Sequence, residues 1–573
     1  MLIDPNSWSK DGATALAEWS ASDDGTLLAY AVQDGGTDWR TIHVLDVTTG
    51  KVLGDHIKWA RFTTIAWAKD GSGFFYDRFP EPKQGAAPQA GVGNHAIYFH
   101  ALGAPQAKDR LVYATPDKPI LLHSFILTSD GRYLGIISSP GSLVTDLTVV
   151  DLKSADGKPR KLVDNFDSQW SVIDSVGSKL FLLTTKDAPR LKVVTMDMAE
   201  ANPVTVDLVP EQDAVLSGAW MVGERLLLSY QVDAAIEIRR HTLDGKADGI
   251  VKLPGIGTAV GFDGGLSDKE TFFGYTSYNA PGIIYRYDVA NNVAKVWSEA
   301  KVVSDLNQIV VERRFYNSKD DTRIPMFIVR RKDVTGPAPT LLYAYGGFAI
   351  SEPPAFSSER LAWVEQGGVF VEAHIRGGGE YGKPWNDAGR RQNKQNVFDD
   401  FIAAGEYLKA QGITSKDGLA IQGASNGGLL IGAVVNQRPD LFAAALAQVG
   451  VMDLLRFDKF TAGKLWIDEY GDPAKEEDFR NLLAYSPYHN VKPGNDYPAI
   501  VATTADTDDR VVPAHTFKYI AVLQAGDIGT KPHVVRIETR AGHGAGKPAD
   551  KAIAETADLW AFAARWTGLE VKP

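Results

Sequence analysis

A serine lies between small residues in the segment Gly423–Gly427, which reads Gly-Ala-Ser-Asn-Gly and matches the pattern G-x-S-x-G. Strand-like residues 419–422 precede this segment, and residues 427–437 follow it with a helical pattern. This order is typical of a nucleophile elbow, whose sharp turn needs small residues two positions to either side of the nucleophile. The N-terminus of the following helix favours negative charge that develops there. We therefore predict that Ser425 is a nucleophile; the alternative is an ordinary turn between a strand and a helix.

A serine nucleophile needs a base, and in hydrolases with this elbow the acid and then the histidine follow the serine along the chain. Four histidines lie downstream, at His489, His515, His533 and His543. His543 lies in a glycine-rich loop after a predicted strand, from which an imidazole could reach the serine. The pattern favours a structural role for His515, at the start of a predicted helix, and solvated positions for His489 and His533. We predict that His543 is the base.

The acid should follow the strand that precedes this histidine. Residues 499–504 have the composition of a buried strand, and three aspartates come directly after it, at Asp506, Asp508 and Asp509. A carboxylate here would fix the tautomer of the imidazole and stabilise the imidazolium that forms during catalysis. The spacing alone does not choose among the three.

The elements around these residues alternate between strands and helices from about residue 305 onward. A strand pair at residues 309–315 and 324–330 opens this region. Predicted strands follow at residues 340–345, 368–373, 419–422, 445–449, 499–503 and 533–538, with helices at 397–411, 427–437 and 555–566. Alternation of this kind indicates a mostly parallel, doubly wound sheet with helices on both faces. We predict an α/β-hydrolase domain over residues 305–573.

The first half of the chain contains a repeat that begins with an Asp- or Gly-containing turn followed by a strand-like run. Copies lie at residues 22–30, 68–76 and 128–134, and weaker copies lie at 176–180, 222–226 and 266–270. A period of about 46 residues with several short strands is typical of a β-propeller. We predict a propeller over residues 1–304 with six full repeats; the alternative is an array of all-β sandwiches.

The composition excludes several classes of protein. The 573 residues include no cysteine, which excludes thiol nucleophiles, disulfides and cysteine-based zinc sites. A net charge of −11 without a Lys/Arg-rich run argues against a nucleic-acid partner. No apolar run approaches the roughly 18 residues needed to span a membrane. Because no H-E-x-x-H motif is present, we expect no metal and no other cofactor.

Six motifs resemble the prolyl oligopeptidase (prolyl endopeptidase) family of serine peptidases. They are the Ser425 elbow and residues 343–348, 376–382, 394–401, 506–513 and 541–548. The resemblance is dense from about residue 339 to 548 and looser through the repeats. It implies that the acid is Asp508, because the acid of the family precedes an Asp-Arg pair.

The resemblance also implies roles for further residues. An oxyanion hole would use the backbone N–H of Asn426 and the hydroxyl of Tyr345. Trp466 matches the indole that stacks on the substrate proline, and Arg510 matches the arginine that binds the carbonyl of the preceding residue. The rest of the apolar proline pocket is matched by Phe348, Val451, Tyr470 and Val511. For Tyr345, Trp466 and Tyr470, the alternative is ordinary packing in the core.

The implied function is a serine endopeptidase that cleaves short peptides on the carboxyl side of proline. In the family, the propeller covers the site and admits short peptides. We expect short proline-containing peptides as partners, a monomer, and neither nucleic acid nor membrane as a partner. The alternatives are an oligopeptidase of the same superfamily with another preference before the cleaved bond, an aminopeptidase of that superfamily, and an inactive propeller–hydrolase scaffold that binds partners.

The N-terminus departs from the family. Members usually begin with a segment that packs on the catalytic domain, followed by strands that complete the first of seven blades, and this sequence starts after both. We therefore expect a chain that is truncated or engineered relative to the family, or one whose true start lies upstream. The first residues have no signal-peptide pattern. The expected location is the cytoplasm or the periplasm.

Overall fold

A computed structural model describes residues 2–83, 90–141, 143–154 and 156–572. Before residue 305, these residues form six four-stranded antiparallel sheets, the blades of a β-propeller. The chain then forms one eight-stranded sheet with helices on both faces. The predicted fold class is confirmed. Among the helices of these described ranges, none has the length and apolar character needed to cross a membrane.

Each blade is built from four consecutive strands of the chain. Blade 1 contains β1 (Thr14–Ala21), β2 (Leu27–Asp34), β3 (Arg40–Asp46) and β4 (Lys51–Ala60), and blade 2 contains β5 (Ile65–Trp67), β6 (Gly73–Arg78), β7 (Ala96–Ala101) and β8 (Arg110–Ala114). Blade 3 contains β9 (Leu122–Leu127), β10 (Tyr133–Ser139), β11 (Asp146–Asp151) and β12 (Pro159–Val163), and blade 4 contains β13 (Trp170–Val176), β14 (Lys179–Thr184), β15 (Lys192–Asp197) and β16 (Val206–Val209). Blade 5 contains β17 (Val215–Val222), β18 (Arg225–Val232), β19 (Ala235–Thr242) and β20 (Ala247–Val251), and blade 6 contains β21 (Thr258–Val260), β22 (Glu270–Ser277), β23 (Ala280–Asp288) and β24 (Val293–Glu299).

The predicted repeat coincides with the connection between the first and second strand of each blade. In blade 3 the Asp130 carboxylate accepts a hydrogen bond from the Thr128 hydroxyl at 2.8 Å and from the backbone N–H of Arg132 at 3.0 Å. Gly131 closes the turn with a φ of +66°, a backbone conformation that glycine adopts without steric cost. Local side-chain hydrogen bonds and a left-handed glycine therefore explain the Asp-Gly signature.

Apolar clusters between neighbouring blades hold the propeller together. One cluster joins Ile42 and Val44 of blade 1 to Trp67 and Phe74 of blade 2. Further clusters join blades 2 and 3, 3 and 4, 4 and 5, and 5 and 6. Packing between blades buries the face that an isolated four-stranded sheet would expose.

The large sheet has the strand order β25-β26-β28-β27-β29-β30-β31-β32. Its strands are β25 (Ile309–Asn317), β26 (Arg323–Arg331), β27 (Thr340–Tyr343), β28 (Val369–Ala373), β29 (Leu419–Ala424), β30 (Ala444–Gln448), β31 (Ala499–Ala505) and β32 (His533–Glu538). The pairs β25–β26 and β26–β28 are antiparallel, and all other pairs are parallel. The parallel strands end at one edge of the sheet, where ligands bind in open α/β sheets.

Helices cover both faces of this sheet. They are α1 (Ser358–Glu365), α2 (Lys383–Asp387), α3 (Gln395–Ala410), α4 (Asn426–Gln437), α5 (Ile467–Tyr470), α6 (Glu476–Tyr485), α7 (Ala514–Ala525) and α8 (Ala549–Thr567). One apolar core packs α3, α4 and α7 on the sheet, and the other packs α1 and α8 on its opposite face. Strands buried on both faces read as nearly continuous apolar runs, which is why the sequence located them well.

Some boundaries and environments differ from the expectations. The strand expected over residues 340–345 ends at Tyr343, so that Tyr345 lies in the loop after it. The last helix begins at Ala549 and not at Glu555. His489 and His533, expected to be solvated, are partly buried: His489 forms a hydrogen bond with Ser486 at 2.8 Å, and His533 begins β32 beside β31.

Candidate active site

The elbow around Ser425 connects β29 directly to α4. Ser425 has a φ of +59°, which is unfavourable for a residue with a side chain. A Cβ at Gly427 would lie 2.9 Å from the carbonyl oxygen of Ala344, and a Cβ at Gly423 would clash with the backbone of Gly427. Both glycines are therefore needed for the close approach of the chain to itself. The strained turn projects the serine at the carboxyl edge of the sheet.

His543 and Asp508 lie on neighbouring loops and form a direct hydrogen bond. The His543 Nδ1–Asp508 Oδ2 distance is 2.7 Å. The other carboxylate oxygen of Asp508 accepts backbone N–H groups from Arg510 at 3.0 Å and Val511 at 2.9 Å. These bonds fix the carboxylate and so the orientation of the imidazole. Within the described residues, His543 Nε2 has no hydrogen-bond partner, and His543 lines the same cavity as Ser425.

Asp506 and Asp509, the other two candidate acids, point elsewhere. Asp506 is exposed and accepts the backbone N–H of Arg540 at 2.7 Å. Asp509 accepts the backbone N–H of Asp38, from the propeller, at 3.0 Å. The structure therefore brings Asp508, and neither neighbour, to His543.

Tyr345 and Asn426 lie on either side of the serine. Tyr345 lines the same cavity as Ser425, and burial raises the pKa of Tyr345 to about 12. The phenol therefore stays protonated near neutral pH and remains a donor. The backbone N–H of Asn426 is the first of α4, and the first N–H groups of a helix have no partner within it. Two donors are thus available beside the nucleophile.

The side chain of Asn426 fixes the two halves of this arrangement to each other. Its amide nitrogen donates to the carbonyl of Tyr345 at 2.6 Å. Its oxygen accepts from the Tyr470 hydroxyl at 3.0 Å and from Lys394 Nζ at 3.2 Å. Lys394 is almost fully buried and is neutralised by Glu469 at 2.9 Å. Sequence reasoning missed Lys394 as a contributor, although it begins one of the motifs that carry the resemblance.

A cavity of about 400 Å³ opens beside Ser425. It is lined by Tyr343, Tyr345, Phe348, Ile350, Glu352, Ala424, Ser425, Val449, Val451, Trp466, Tyr470, Arg510 and His543. The ring of Tyr470 meets Phe348 edge to face at a centroid distance of 5.5 Å, and Trp466 stacks on Phe457 at 6.3 Å. The cavity wall near the serine is therefore aromatic.

Most of the predicted pocket residues line this cavity, and one does not. Val511 packs in the hydrolase core and is not among the residues that line the cavity. Five lining residues were not predicted as site residues: Tyr343, Ile350, Glu352, Ala424 and Val449. No sequence pattern marks Glu352, because its environment is set by groups that pack around it from other elements.

Arg510 lines the cavity and is held by the propeller. Its Nε and one terminal nitrogen donate to the two carboxylate oxygens of Asp38 at 3.0 and 2.6 Å. The guanidinium of Arg61 lies 3.7 Å from both Asp38 and Asp509 and donates to the carbonyl of Asp509 at 3.1 Å. Sequence reasoning missed Asp38 and Arg61, which belong to another domain and follow no motif.

The β2–β3 turn of blade 1 contacts the loops of both Asp508 and His543. The Thr507 hydroxyl donates to the carbonyl of Gly35, and Gln33 donates to the carbonyl of Ala545 at 3.0 Å. Gly36 lies so close to Gly542 that a Cβ on either residue would clash with the backbone of the other. The propeller is therefore part of the environment of Asp508 and His543.

No group of three or more His, Cys, Asp or Glu side chains in the described part of the chain is arranged to hold a metal ion. What the geometry can support is acyl transfer, because a nucleophile, an oriented imidazole and two hydrogen-bond donors surround one cavity. An aromatic wall beside the serine suits a flat apolar group of the substrate.

Comparisons with known proteins agree with this geometry. Residues 1–300 match the model of the prolyl oligopeptidase N-terminal beta-propeller domain, and residues 354–570 match that of the prolyl oligopeptidase family. The chain is 42% identical to the prolyl endopeptidase of Elizabethkingia miricola over 578 residues, which cover 100% of this chain and 81% of that protein.

Two solved structures extend the comparison. A structure from a mechanistic study of two prolyl endopeptidases has a TM-score of 0.95 at 39% identity, covering 99% of this chain and 84% of that one. Prolyl oligopeptidase B from Galerina marginata, bound to a 35mer hydrolysis and macrocyclization substrate, has a TM-score of 0.94 at 35% identity, covering 99% and 82%. With matches over both halves of the sequence, the chain belongs to the prolyl oligopeptidase family of serine peptidases.

Proposed function

We propose that the chain is a serine endopeptidase that hydrolyses short peptides on the carboxyl side of proline, with Ser425 as nucleophile, His543 as base and Asp508 as acid. The observation that carries this proposal is the shared cavity: Ser425, His543 and Tyr345 line it, and Asp508 orients the imidazole at 2.7 Å. The 42% identity to a prolyl endopeptidase supports the same reaction.

The proposed mechanism begins with the transfer of the Ser425 hydroxyl proton to His543 Nε2 as Oγ attacks the substrate carbonyl. The Asp508 carboxylate accepts a hydrogen bond from Nδ1–H of His543 and stabilises the imidazolium, while the proton stays on Nδ1. The negative oxygen of the tetrahedral intermediate is bound by the Tyr345 hydroxyl and the backbone N–H of Asn426. Tyr345 lines the cavity beside Ser425, and we propose that its hydroxyl binds the substrate oxygen there.

Collapse of the intermediate releases the amine, which takes its proton from His543, and leaves an acyl-enzyme on Ser425. Water then attacks the acyl carbon while His543 accepts a proton. The second tetrahedral intermediate collapses to the free acid, and Ser425 regains its proton. The same two donors stabilise both intermediates, so that a defect in the oxyanion hole slows both halves of the reaction.

The proposed proline pocket is formed by Trp466, Tyr470, Phe348 and Val451, with Val511 packed behind it. Two carboxylates near this pocket are already neutralised: Asp468 pairs with Arg390 and Arg391 at 2.7 Å, and Glu469 pairs with Lys394. A substrate lysine or arginine would therefore lose its hydration in the pocket without gaining a counter-charge. This argues for proline over a basic residue before the cleaved bond.

We further propose that Arg510 binds the carbonyl of the residue before proline. The proposed domain boundary lies between residues 304 and 305. We also propose that the chain acts as a monomer in the cytoplasm or the periplasm. The position of Arg510 on the cavity wall supports the first role. The contacts of the β2–β3 turn with both catalytic loops support a propeller that limits access to short peptides. The net charge of −11 supports a partner other than nucleic acid.

Hydrolysis of a blocked Gly-Pro chromogenic peptide tests the function. We expect turnover by the purified chain and loss of about 10⁶-fold in kcat for Ser425→Ala, as when a serine nucleophile acting with a histidine is removed. The matched control is Ser486→Ala, which removes a buried serine hydroxyl away from the cavity. Turnover by the unaltered chain no faster than by Ser425→Ala would favour the inactive scaffold.

A further inference from the structure

Glu352 lines the cavity of Ser425 and has no role in the proposed mechanism. Its backbone N–H donates to Glu380 Oε1 at 3.1 Å, which fixes the position of the residue. In the part of the chain that the structure describes, its carboxylate forms neither a hydrogen bond nor an ion pair. A partly buried carboxylate that lines the cavity of Ser425 without a protein partner among the described residues needs an explanation.

The surroundings of Glu352 are acidic. Two further buried carboxyls lie nearby, those of Glu372 and Glu380. The nearest cation is Arg360, whose guanidinium lies 3.2 Å from Glu372 Oε1 and over the rings of Tyr343 and Phe370. One guanidinium therefore faces three carboxyls, and it is already paired with one of them.

Burial, reinforced by the charge of Glu372, raises the pKa of Glu352 to about 7. The ionised form is thus unfavourable in the empty cavity and would be stabilised by a cation that entered it. The other titratable and charged groups around Glu352, from every neighbouring element, are Tyr278, Tyr343, Tyr345, Arg360, Glu372, His374, Glu380, Arg510 and His543. Of the two arginines in this set, Arg360 is paired with Glu372 and Arg510 with Asp38.

The partner of Glu352 is therefore not supplied by the fold. The aromatic pocket of Trp466 and Tyr470 cannot supply it either, because that pocket suits an uncharged proline ring. We propose that Glu352 determines specificity by binding a cationic group of the peptide substrate, either a lysine or arginine side chain beside the proline or the free terminal ammonium of a short peptide. This inference rests on the proposed function for its choice of a peptide as the ligand.

Equilibrium binding to Ser425→Ala tests the inference without any need for turnover. Three pairs of proline peptides are compared by calorimetry: lysine or norleucine before the proline, lysine or norleucine after it, and a free or acetylated N-terminus. We expect Glu352→Gln to reduce the preference for the cationic member about tenfold in at least one pair, the effect of losing one charge-assisted hydrogen bond. The pair that responds identifies the source of the cation.

Two comparisons make the result decisive. Glu359→Gln, at an exposed glutamate in the first turn of α1, removes the same charge outside the cavity and should leave every preference unchanged. Unchanged affinity for the neutral peptides shows that Glu352→Gln has left the cavity intact. Equal preferences with and without Glu352→Gln in all three pairs would overturn the inference.

The pH dependence is a second readout. The preference for a lysine peptide should be present above pH 7 and should decline as the pH falls through 7, because Glu352 becomes protonated. Any pH effect common to both members of a pair cancels in their affinity ratio, so the ratio isolates Glu352. A ratio that changes equally with pH in Glu352→Gln would contradict the assignment. Hydrolysis of the neutral Gly-Pro peptide tests the proposed function separately, so that the two failures are distinguishable.

Discussion

Ser425 and Tyr345 are held by contacts within the hydrolase sheet and its helices, whereas Asp508 and His543 lie on loops that dock against the propeller. Asn426 joins the elbow to the carbonyl of Tyr345 inside one domain. The loops of the acid and the base instead contact the β2–β3 turn through backbone and side-chain bonds. The proposed nucleophile and oxyanion donor are thus preformed by one core, while the proposed acid and base also depend on contacts with the propeller.

The largest effect on the reaction is expected where the site is held by contacts within the hydrolase domain alone. Tyr345→Phe removes the phenolic donor but keeps the ring, so kcat should fall about 10²- to 10³-fold with little change in KM, because the lost bond acts mainly in the transition state. Steady-state kinetics on the Gly-Pro peptide measure both constants. An unchanged kcat would show that Tyr345 is not part of the oxyanion hole. Amide hydrogen exchange in residues 541–546 should be the same as in the unaltered chain, because the substitution leaves the contacts between this loop and the propeller intact.

A smaller effect, on stability, is expected where the two domains meet. Burial raises the pKa of Asp509 to about 6, against the opposing charge of Arg61. A carboxyl whose pKa is higher in the folded than in the unfolded chain stabilises the fold when protonated, and this contribution is lost as the pH rises through 6. Relative to Asp509→Asn, the unaltered chain should lose up to about 3 kcal/mol of unfolding free energy between pH 4 and pH 6.

Urea unfolding midpoints at several pH values measure this difference. Asp506→Asn, at the exposed aspartate of the same loop, is the control for a lost charge. If the urea midpoints of the unaltered chain and of Asp509→Asn change with pH in parallel, the Asp509 carboxyl remains solvated at the contact with the propeller. The loop of Asp508 and Asp509 would then depend less on the propeller than we propose.

The smallest effect is expected from the propeller side of the contact. Gly36→Ala places a Cβ against the backbone of Gly542 and should shift the His543 loop, lowering kcat/KM about tenfold, since small misplacements of a catalytic group slow the reaction. Gly25→Ala is a matched control, because Gly25 also has a positive φ and has no atom within 4 Å of an added Cβ. Amide exchange should increase in residues 541–546 and not in 423–427. Equal activities of the two variants would contradict a dependence on the propeller.

The sequence predicted the part of the site held within the hydrolase domain, around Ser425, better than the part that contacts the propeller, around Asp508 and His543. The elbow, the buried strand before it and the helix after it are local patterns, and they located Ser425 without any other information. The choice of Asp508 over Asp506 and Asp509 required the family resemblance, because the three carboxylates differ only in the direction that the loop backbone gives them. In the structure each contacts a different partner: His543, Arg540 and Asp38.

Contacts between distant parts of the chain could not be predicted in the same way. Asp38 meets Arg510 across 472 positions of sequence, and no motif marks either Asp38 or Arg61 as part of the site. Glu352 was missed for a different reason: its significance lies in the absence of a nearby counter-charge, which only the packed neighbours reveal. The propeller repeats were predictable because each Asp-Gly turn forms its hydrogen bonds within a few residues.

The docking of the β2–β3 turn also has a temporal consequence. Arg540, three residues before the base, bonds Asp34 across 506 positions of sequence, and contacts of such separation form late because of the entropy of closing so long a loop. During synthesis, the serine elbow leaves the ribosome well before the loop that carries the imidazole. A partly made chain would therefore present the proposed nucleophile without its proposed base, and we expect peptide cleavage to begin only after the first blade has met the His543 loop.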